Sequence, residues 1–403
     1  MTDTFDHGTF AEAAQTLTGV AARTPMVRSA ALSDRLHTSV HLKAENLQDT
    51  GSFKLRGAYL RLSRLSEEEK ARGVVAASAG NHAQGVALAA RRLGISARIF
   101  MPADAALPKV EATQRYGAEV VLTGTSVDEA LATATADATS SGRVFIHPFD
   151  HPDIVAGQGT IGLEILEQVP DVRTILVPTG GGGLLAGVAA AVHSLAPHVE
   201  VVGVQAAAAA SFPASLAQGQ PVPLDDMRTM ADGIAVGRPG DVPFRLIQEH
   251  VTEVRTVTEN LISRAVLHLA ERSKLVVEPS GAAGVAAVLA DPGAFSGPIV
   301  VLLTGGNVDP LVLLQIIRHG MTAVGRYLQA RVMIKDTPGS LVGLLAELAD
   351  AGANVVDITH QRISSGLAVD EVDVTVALET RGPEHCEAVM TRLRDNGYRI
   401  LAY

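Results

Sequence analysis

The stretch Thr179-Gly180-Gly181-Gly182-Gly183-Leu184 lies between a short apolar run and a long helical pattern. Its four glycines carry no Cβ atoms, so several backbone N–H groups can converge on one ligand. The N-terminus of the following helix adds partial positive charge. No Gly-Lys-Ser/Thr follows, which excludes a P-loop, and the spacing does not fit Gly-x-Gly-x-x-Gly. We therefore expect a phosphate-binding loop, with a flexible turn as the alternative.

Apolar runs alternate with helical patterns on both sides of this loop, between about residues 70 and 310. The predicted strands lie at 74–77, 97–100, 119–122, 174–177 and 298–303, and the predicted helices at 81–93, 106–116, 127–138 and 184–195. Buried strands that alternate with helices are typical of parallel sheets covered on both faces. The sequence therefore predicts an α/β fold for this region.

The last 75 or so residues follow a different pattern. Leu341, Leu344, Leu345 and Leu348 fall at i, i+3, i+4 and i+7, which predicts one apolar helix face. Strands are predicted around 332–334, at 354–362, at 372–378 and at 399–402, with a second helix at 383–396. The resulting order βαββαβ predicts a compact α+β unit that begins near residues 325 to 328.

The composition limits the classes of function. The chain has 403 residues, of which 47% are hydrophobic, and a net charge of −10. An acidic balance without a basic cluster argues against nucleic acid as a partner. We see no signal peptide, and the apolar stretches are too short to span a bilayer. Cys386 is the single cysteine, so we expect a cytoplasmic protein with no disulfide and no membrane partner.

Two further motifs contain side chains that can carry chemistry. Ser78-Ala79-Gly80-Asn81-His82 follows a predicted strand and opens a helix, so it could bind a carboxylate or a ring hydroxyl. The alternative is a plain helix cap by Ser78 or Asn81. Lys54 lies among small and apolar residues in the stretch 51–57. Such a lysine can lose its charge and act as a nucleophile or base, although a lone lysine is usually a solvated surface residue.

Two turns complete the set. Val277-Glu278-Pro279-Ser280-Gly281-Ala282 is predicted to join a strand to a helix, and Leu303-Thr304-Gly305-Gly306-Asn307 ends the last core strand. Each is an ordinary turn when it is considered by itself. Their order along the chain, after the three motifs above, makes them informative.

In this order, Ser-Phe-Lys, Ser-x-Gly-Asn-His, the four glycines, Glu-Pro-Ser-Gly and Thr-Gly-Gly-Asn resemble the fold-type II pyridoxal-phosphate enzymes. The resemblance covers about residues 20 to 320. Several segments look most like threonine dehydratase (threonine ammonia-lyase), among them Arg23-Thr24-Pro25, Glu45-Asn46-Leu47-Gln48 and His147-Pro148-Phe149-Asp150. The resemblance implies a tryptophan synthase β-like fold with two parallel-sheet subdomains. The catalytic domain would span 1–325, with the smaller subdomain inserted at roughly 60–145.

The resemblance also assigns roles to residues. Lys54 would hold pyridoxal phosphate through its amine and act as the catalytic residue. The phosphate would lie against Gly180, Gly181, Gly182, Gly183 and Leu184, with Phe53 beside the ring, Asn81 at the ring hydroxyl and Thr304 at the ring nitrogen. Ser78, Ala79, Asn81 and His82 would receive the substrate carboxylate. Glu278 would lie beside the cofactor and orient the lysine region or a water, with a structural cap as the alternative.

The implied reaction is dehydration and deamination of L-threonine to 2-oxobutanoate and ammonia, as the first step of isoleucine biosynthesis. L-Serine would be a second substrate, because it lacks only one methyl group. Racemisation is disfavoured, since Ala79 stands where serine racemase has a second serine. A non-catalytic amino-acid sensor is the other alternative. We assign no metal-binding residue, because Gln205 stands in the stretch where some relatives place a carboxylate that binds a divalent cation. A monovalent ion held by carbonyl groups is the alternative.

Residues 328–403 resemble an ACT domain, a regulatory module that binds small molecules. Asp336, Pro338, Gly339, Leu341 and Asn354 correspond to the amino-acid-binding edge of that family. The resemblance implies regulation by isoleucine or valine, and the alternative is a unit that serves dimerisation alone. We expect a homodimer or homotetramer.

Overall fold

The computed structural model of the chain describes residues 5–362 and 370–401. Its strands, in chain order, are β1 (Met26–Arg28), β2 (Val40–Ala44), β3 (Val74–Ala77), β4 (Ala97–Met101), β5 (Glu119–Leu122), β6 (Val144–Phe145), β7 (Thr174–Pro178), β8 (Glu200–Ala206), β9 (Glu253–Val257), β10 (Ile299–Leu303), β11 (Tyr327–Lys335), β12 (Asn354–Gln361), β13 (Glu371–Glu379) and β14 (Arg399–Leu401).

The helices, in chain order, are α1 (His7–Leu17), α2 (Ala30–Leu36), α3 (Lys54–Ser63), α4 (Glu67–Arg72), α5 (Asn81–Leu93), α6 (Leu107–Arg115), α7 (Val127–Ser141), α8 (Pro152–Gln168), α9 (Gly183–Leu195), α10 (Ser211–Gln218), α11 (Asp241–His250), α12 (Glu259–His268), α13 (Pro279–Ala290), α14 (Pro310–Ala323), α15 (Ser340–Asp350) and α16 (Pro383–Asp395). Short 3₁₀ helices lie at Glu45–Leu47, Ala207–Ala209 and Asp232–Ile234, and a π-helical turn lies at Leu269–Ser273. The chain forms two compact units, residues 1–313 and 314–403.

The larger sheet of the first unit has the strand order β1-β2-β10-β7-β8-β9. Its strands are parallel except for β1, which pairs antiparallel with β2. Every residue of β7 and β10 is buried. Both central strands are nearly continuous apolar runs, as expected for strands that are covered on both faces.

The smaller sheet has the order β5-β4-β3-β6, with parallel pairing throughout. Its strands all lie between Val74 and Phe145. The two parallel sheets confirm the predicted fold class. The strands predicted at 74–77, 97–100, 119–122, 174–177 and 298–303 and the helices predicted at 81–93, 106–116, 127–138 and 184–195 all have counterparts in the structure.

The strand predicted before Glu278 is wrong. Residues 274–278 form no strand, and they follow the π-helical turn directly. Their backbone groups bond to loops and side chains and not to a strand ladder: Asn46 Nδ2 donates to the Val276 carbonyl at 3.1 Å, and the Glu278 N–H donates to the Gly305 carbonyl at 3.0 Å. An apolar run this short does not by itself determine its hydrogen-bond partners.

The second unit has the predicted order βαββαβ, from β11 to β14. Its sheet is antiparallel, with the strand order β12-β13-β11-β14. Leu344, Leu348 and Val389 of the two helices share a core with alternate residues of the strands. The two units divide between residues 313 and 314. This division lies before the domain boundary expected near residue 325. A catalytic domain that ends at residue 325 therefore stays a prediction. No helix among the described residues combines the length and apolar character needed to cross a membrane.

Candidate active site

The first unit contains a cavity of about 760 Å³ at the carboxyl ends of β3, β7 and β10. Ligands of parallel α/β sheets bind at this end of the strands. The predicted site residues that line the cavity are Phe53, Lys54, Ser78, Ala79, Asn81, His82, Gly180, Gly182, Gly183, Leu184, Glu278 and Thr304. Gly181 does not line the cavity, because it packs against the Phe149 ring. One cavity therefore collects residues that are spread over 250 positions of the sequence.

Lys54 is the first residue of α3, and its side chain is half-buried. Its Nζ donates to the Pro148 carbonyl at 3.0 Å and lies 5.2 Å from the centroid of the Phe53 ring. Burial lowers the pKa of Lys54 to about 8, although the Glu278 carboxylate opposes the shift. The amine therefore loses its proton more readily than that of an exposed lysine.

The four-glycine loop joins β7 to α9. A Cβ atom on Gly181 would lie 2.4 Å from the Phe149 ring, and one on Gly183 would lie 2.8 Å from the Phe149 carbonyl oxygen. Gly182 has φ +98° and caps α9, and no side chain of the described residues caps this helix. The glycines thus allow close packing against Phe149, and they leave the first N–H groups of α9 available to an anion.

The Ser78 loop joins β3 to α5 and forms a second uncapped helix start. Ser78 Oγ accepts from the Gly80 N–H at 3.1 Å. Gly80 is the capping residue, and no side chain in the described part of the chain caps α5. The alternative of a helix cap by Ser78 or Asn81 is therefore wrong. The N-termini of α5 and α9 both open on the cavity.

Asn81 is held from two sides. Its Nδ2 donates to Glu278 Oε1 at 2.7 Å, and its Oδ1 accepts from Asn307 Nδ2 at 2.7 Å. Asn307 also donates to the Thr50 carbonyl at 2.7 Å, close to Lys54 in the sequence. This chain of contacts fixes the amide of Asn81, whose second N–H stays available within the cavity.

The ring of His82 is held by a main-chain group of the neighbouring segment. Its Nε2 donates to the Ile146 carbonyl at 2.9 Å, because a carbonyl can only accept. Burial and the charge of Lys54 lower the pKa of His82 to about 3. The neutral ring links α5 to the segment after β6. Because its one N–H, on Nε2, is already used, Nδ1 can only accept, and His82 has no N–H to donate to a substrate carboxylate.

Glu278 precedes α13, but its side chain does not cap that helix. Burial, followed by the charge of Asp232, raises the pKa of Glu278 to about 8. A Cβ atom on Gly305 would lie 2.2 Å from Glu278 Oε1, so the turn after β10 needs glycine there. The carbonyl of the adjacent Thr304 accepts from the Phe53 N–H at 3.2 Å. Through this bond the end of β10 positions the lysine loop.

The sequence analysis missed a buried ionic cluster that joins β2, α3 and α8. We call Lys43, Glu45, Arg56 and Glu164 the paired cluster. Arg56, two residues after Lys54, donates to Glu45 Oε1 at 2.8 Å and to Glu164 Oε1 at 2.6 Å. Lys43, Glu45 and Arg56 are each at most 1% exposed. The sequence does contain a signal for this cluster, because its charged residues stand between apolar residues that form the core of α3 and β2.

The fold, the two uncapped helix starts and the lysine with a lowered pKa together define a pyridoxal-phosphate enzyme of the parallel α/β type. The family model described as "Pyridoxal-phosphate dependent enzyme" matches residues 17–305. The chain belongs to this family. Pyridoxal phosphate is accordingly its cofactor.

Within this family, three proteins that are similar to the chain carry names that refer to threonine. The chain is 46% identical to the L-threonine ammonia-lyase of Geobacter sulfurreducens over 382 residues, which cover 94% of each chain. It is 44% identical to the L-threonine ammonia-lyase of Thermotoga maritima over 96% of this chain and 97% of that protein. The solved structure of processed threonine deaminase isoform 2 from Solanum lycopersicum matches with a TM-score of 0.74 at 38% identity, over 77% of this chain and 89% of that one.

Proposed function

We propose that the chain deaminates L-threonine to 2-oxobutanoate and ammonia, with L-serine as a second substrate. The observation that carries the proposal is the cavity that places the Lys54 amine together with the starts of α5 and α9. Two anion-binding helix ends fit a substrate carboxylate and a cofactor phosphate. The names of the relatives in Geobacter sulfurreducens and Thermotoga maritima support threonine as the substrate.

The residues present fit pyridoxal phosphate. The loop Gly180–Gly183 and Leu184 would hold the phosphate, Lys54 the reactive carbon, and the free N–H of Asn81 the ring hydroxyl. The hydroxyl of Thr304 would face the ring nitrogen and Phe53 the ring edge. When bound, the cofactor takes up the negative charge that develops as the substrate Cα loses its proton.

The protein's own groups then orient the substrate and move protons. The N–H groups at the start of α5, with Ser78 and Asn81, hold the carboxylate, so that the Cα–H bond points at Lys54. Orientation of this kind contributes several kcal/mol. Lys54 Nζ, which is free once the substrate amine has replaced it at the cofactor, removes the Cα proton. Its lowered pKa suits this task near neutral pH. The β-hydroxyl takes up a proton, which balances the one removed from Cα, and leaves as water. Hydrolysis of the enamine that remains consumes one water and releases 2-oxobutanoate and ammonia. Glu278 and Asn307 keep Asn81 in place.

The second unit would be an ACT-like regulatory domain. The turn before α15 fits a small-molecule edge, because Gly339 has φ +94° and the Asp336 carboxylate accepts from Arg362 Nε at 3.2 Å. Asp336, Pro338, Gly339, Leu341 and Asn354 would bind isoleucine or valine. Feedback of this kind would suit the first step of isoleucine synthesis, carried out by a dimer or tetramer.

The test is the release of 2-oxobutanoate and ammonia from L-threonine, with and without isoleucine. Lys54→Ala should lower turnover by about 10²–10⁴-fold from the loss of proton transfer alone. It should also abolish the visible absorption of bound cofactor that borohydride removes from the unchanged protein. Lys70→Ala, on the surface helix α4, is the matched control and should match the unchanged protein in both measurements. Cofactor absorption without any ketoacid would overturn the threonine assignment.

A further inference from the structure

The second unit contains its own cavity, which shares no lining residue with the candidate active site. Its volume is about 370 Å³. That is at the low end of small-molecule sites, about 300–1,000 Å³, and many times the roughly 30 Å³ share of one water. One wall is α14 and the other is the sheet of β11, β12 and β13. None of the five residues of the predicted effector edge lines it.

The helical wall is polar. Gln315, Arg318, His319 and Thr322 line the cavity and fall at i, i+3, i+4 and i+7, on one face of α14. The buried residues of this helix, Ile316 and Gly320, are not part of that face. A helix that packs against a sheet for stability alone presents an apolar stripe to it.

The sheet wall is also polar. Strand residues alternate between the two faces of a sheet, and Leu328, Ala330, Val374 and Val376 belong to the core shared with α15 and α16. The cavity is lined from the opposite face, by Gln329, Thr359 and Thr375 among others. Two polar walls that leave a cavity between them are suited to a polar ligand.

The charges on the two walls are complementary and unpaired. Arg318 lies on the helix and Asp357 on β12, and both line the cavity. Among residues 5–362 and 370–401, neither side chain forms an ion pair, and the Asp357 carboxylate accepts only from the backbone N–H of Ile358 at 2.9 Å. A cation and a carboxylate that face one cavity without joining each other leave room for a molecule that carries both opposite charges.

We propose that this cavity binds a free α-amino acid with a small polar side chain. Arg318 receives its carboxylate, Asp357 its ammonium group, and the hydroxyls of Thr359 and Thr375 its side chain. Most of the lining side chains can form hydrogen bonds, and only Tyr327 and Ala377 offer apolar contact, so isoleucine binds here less tightly than a polar amino acid. The site is separate from the edge around Asp336, and it does not depend on the reaction at Lys54.

A local fluorescent reporter tests this proposal. The chain contains no tryptophan, and Tyr327 lines the cavity, so Tyr327→Trp introduces a single reporter there. The probe is L-asparagine, which is polar and has no β-hydroxyl to eliminate. We expect a saturable fluorescence change in the holoenzyme, and half-saturation by L-isoleucine at a concentration about tenfold higher or more. Tyr398→Trp, in the same unit but outside the cavity, should show no change.

Variants of the charged pair identify the site. In the Tyr327→Trp chain, Arg318→Gln and Asp357→Asn should each raise the half-saturating concentration by about tenfold or more, the size of a lost charge-assisted hydrogen bond. Asp336→Asn is the matched control and should leave it unchanged. Calorimetric titration of the chain with Tyr327 intact should show binding heat that Arg318→Gln removes. The proposal is overturned if the intact chain shows no such heat, if Tyr398→Trp reports the same change, or if Asp336→Asn abolishes binding while Arg318→Gln does not.

Discussion

Glu45 and Glu278 are both buried carboxylates of the first unit, yet their environments act in opposite directions. Burial by itself would raise the pKa of Glu45, but Arg56 and Lys43 outweigh it and hold the pKa below its ordinary value. For Glu278, the hydrogen bond from Asn81 and the charges of Lys109 and Lys54 lower the pKa too little to outweigh burial. Burial and the charge of Asp232 raise its pKa to about 8. Burial alone therefore does not decide whether a group is charged, because the neighbouring charges decide it.

Two cations, the buried Arg56 and the half-buried Lys54, show the same contrast. Burial tends to lower the pKa of Arg56, but Glu45 and Glu164 outweigh it and raise the pKa above its ordinary value. For Lys54, two residues earlier, only the Glu278 charge opposes the effect of burial, and the pKa falls to about 8. The paired cluster is suited to hold α3 in place, and the groups of the cavity are suited to exchange protons.

Breaking the paired cluster should have the largest effect. Arg56→Met leaves Glu45 and Glu164 buried without their cation, so we expect the free energy of unfolding to fall by about 3–5 kcal/mol. Urea unfolding measures it. Arg23→Met, which removes an ion pair whose two side chains are 57% and 61% exposed, should cost at most about 1 kcal/mol. Equal losses of stability in the two variants would contradict the role of Arg56 as the central cation of the paired cluster.

A smaller effect is expected at the glycine loop of the cavity. Gly181→Ala places a methyl group against the Phe149 ring, and overpacking of this kind costs about 1–3 kcal/mol. The affinity for pyridoxal phosphate should fall as well, because the loop must move. Thermal unfolding and cofactor titration measure the two effects. Gly293→Ala, where no atom lies near the added Cβ, should change stability by less than about 0.5 kcal/mol. An unaffected Gly181→Ala would show that the loop is looser than its contacts indicate.

The smallest effect should be a shift in a pH profile. Cofactor-free protein should regain visible absorption with added pyridoxal phosphate at a rate that rises as pH increases through about 8, since the Lys54 amine must lose its proton first. Glu278 raises the pKa of Lys54, so Glu278→Gln removes that opposition and moves the midpoint to lower pH, by less than about one unit.

The control for this shift is Asp128→Asn. Asp128 lines the same cavity, but it is not among the groups that shift the pKa of Lys54. Its substitution should leave the midpoint in place. A Glu278→Gln midpoint that stays fixed or moves upward would show that the two groups do not interact.

Local patterns predicted much of this molecule, because they depend on near neighbours in the chain. The helix Asn81–Leu93 and the strand Val74–Ala77 begin and end where the sequence places them. The order βαββαβ was likewise readable from alternation and helical periodicity. The prediction of a strand before Glu278 was wrong because the backbone of this segment bonds to Asn46 and Gly305, which are distant in the sequence.

The sequence by itself determined the fold class and the set of motifs around Lys54, since strand-loop-glycine-helix patterns are local. Tertiary structure decided which buried groups keep their charge. It paired Arg56 with Glu164, 108 residues away, and it placed Asn81 against Glu278, 197 residues away. It also brought Arg318 and Asp357 to one cavity. The sign of a pKa shift depends on distances between such residues, and those distances exist only once the chain has folded.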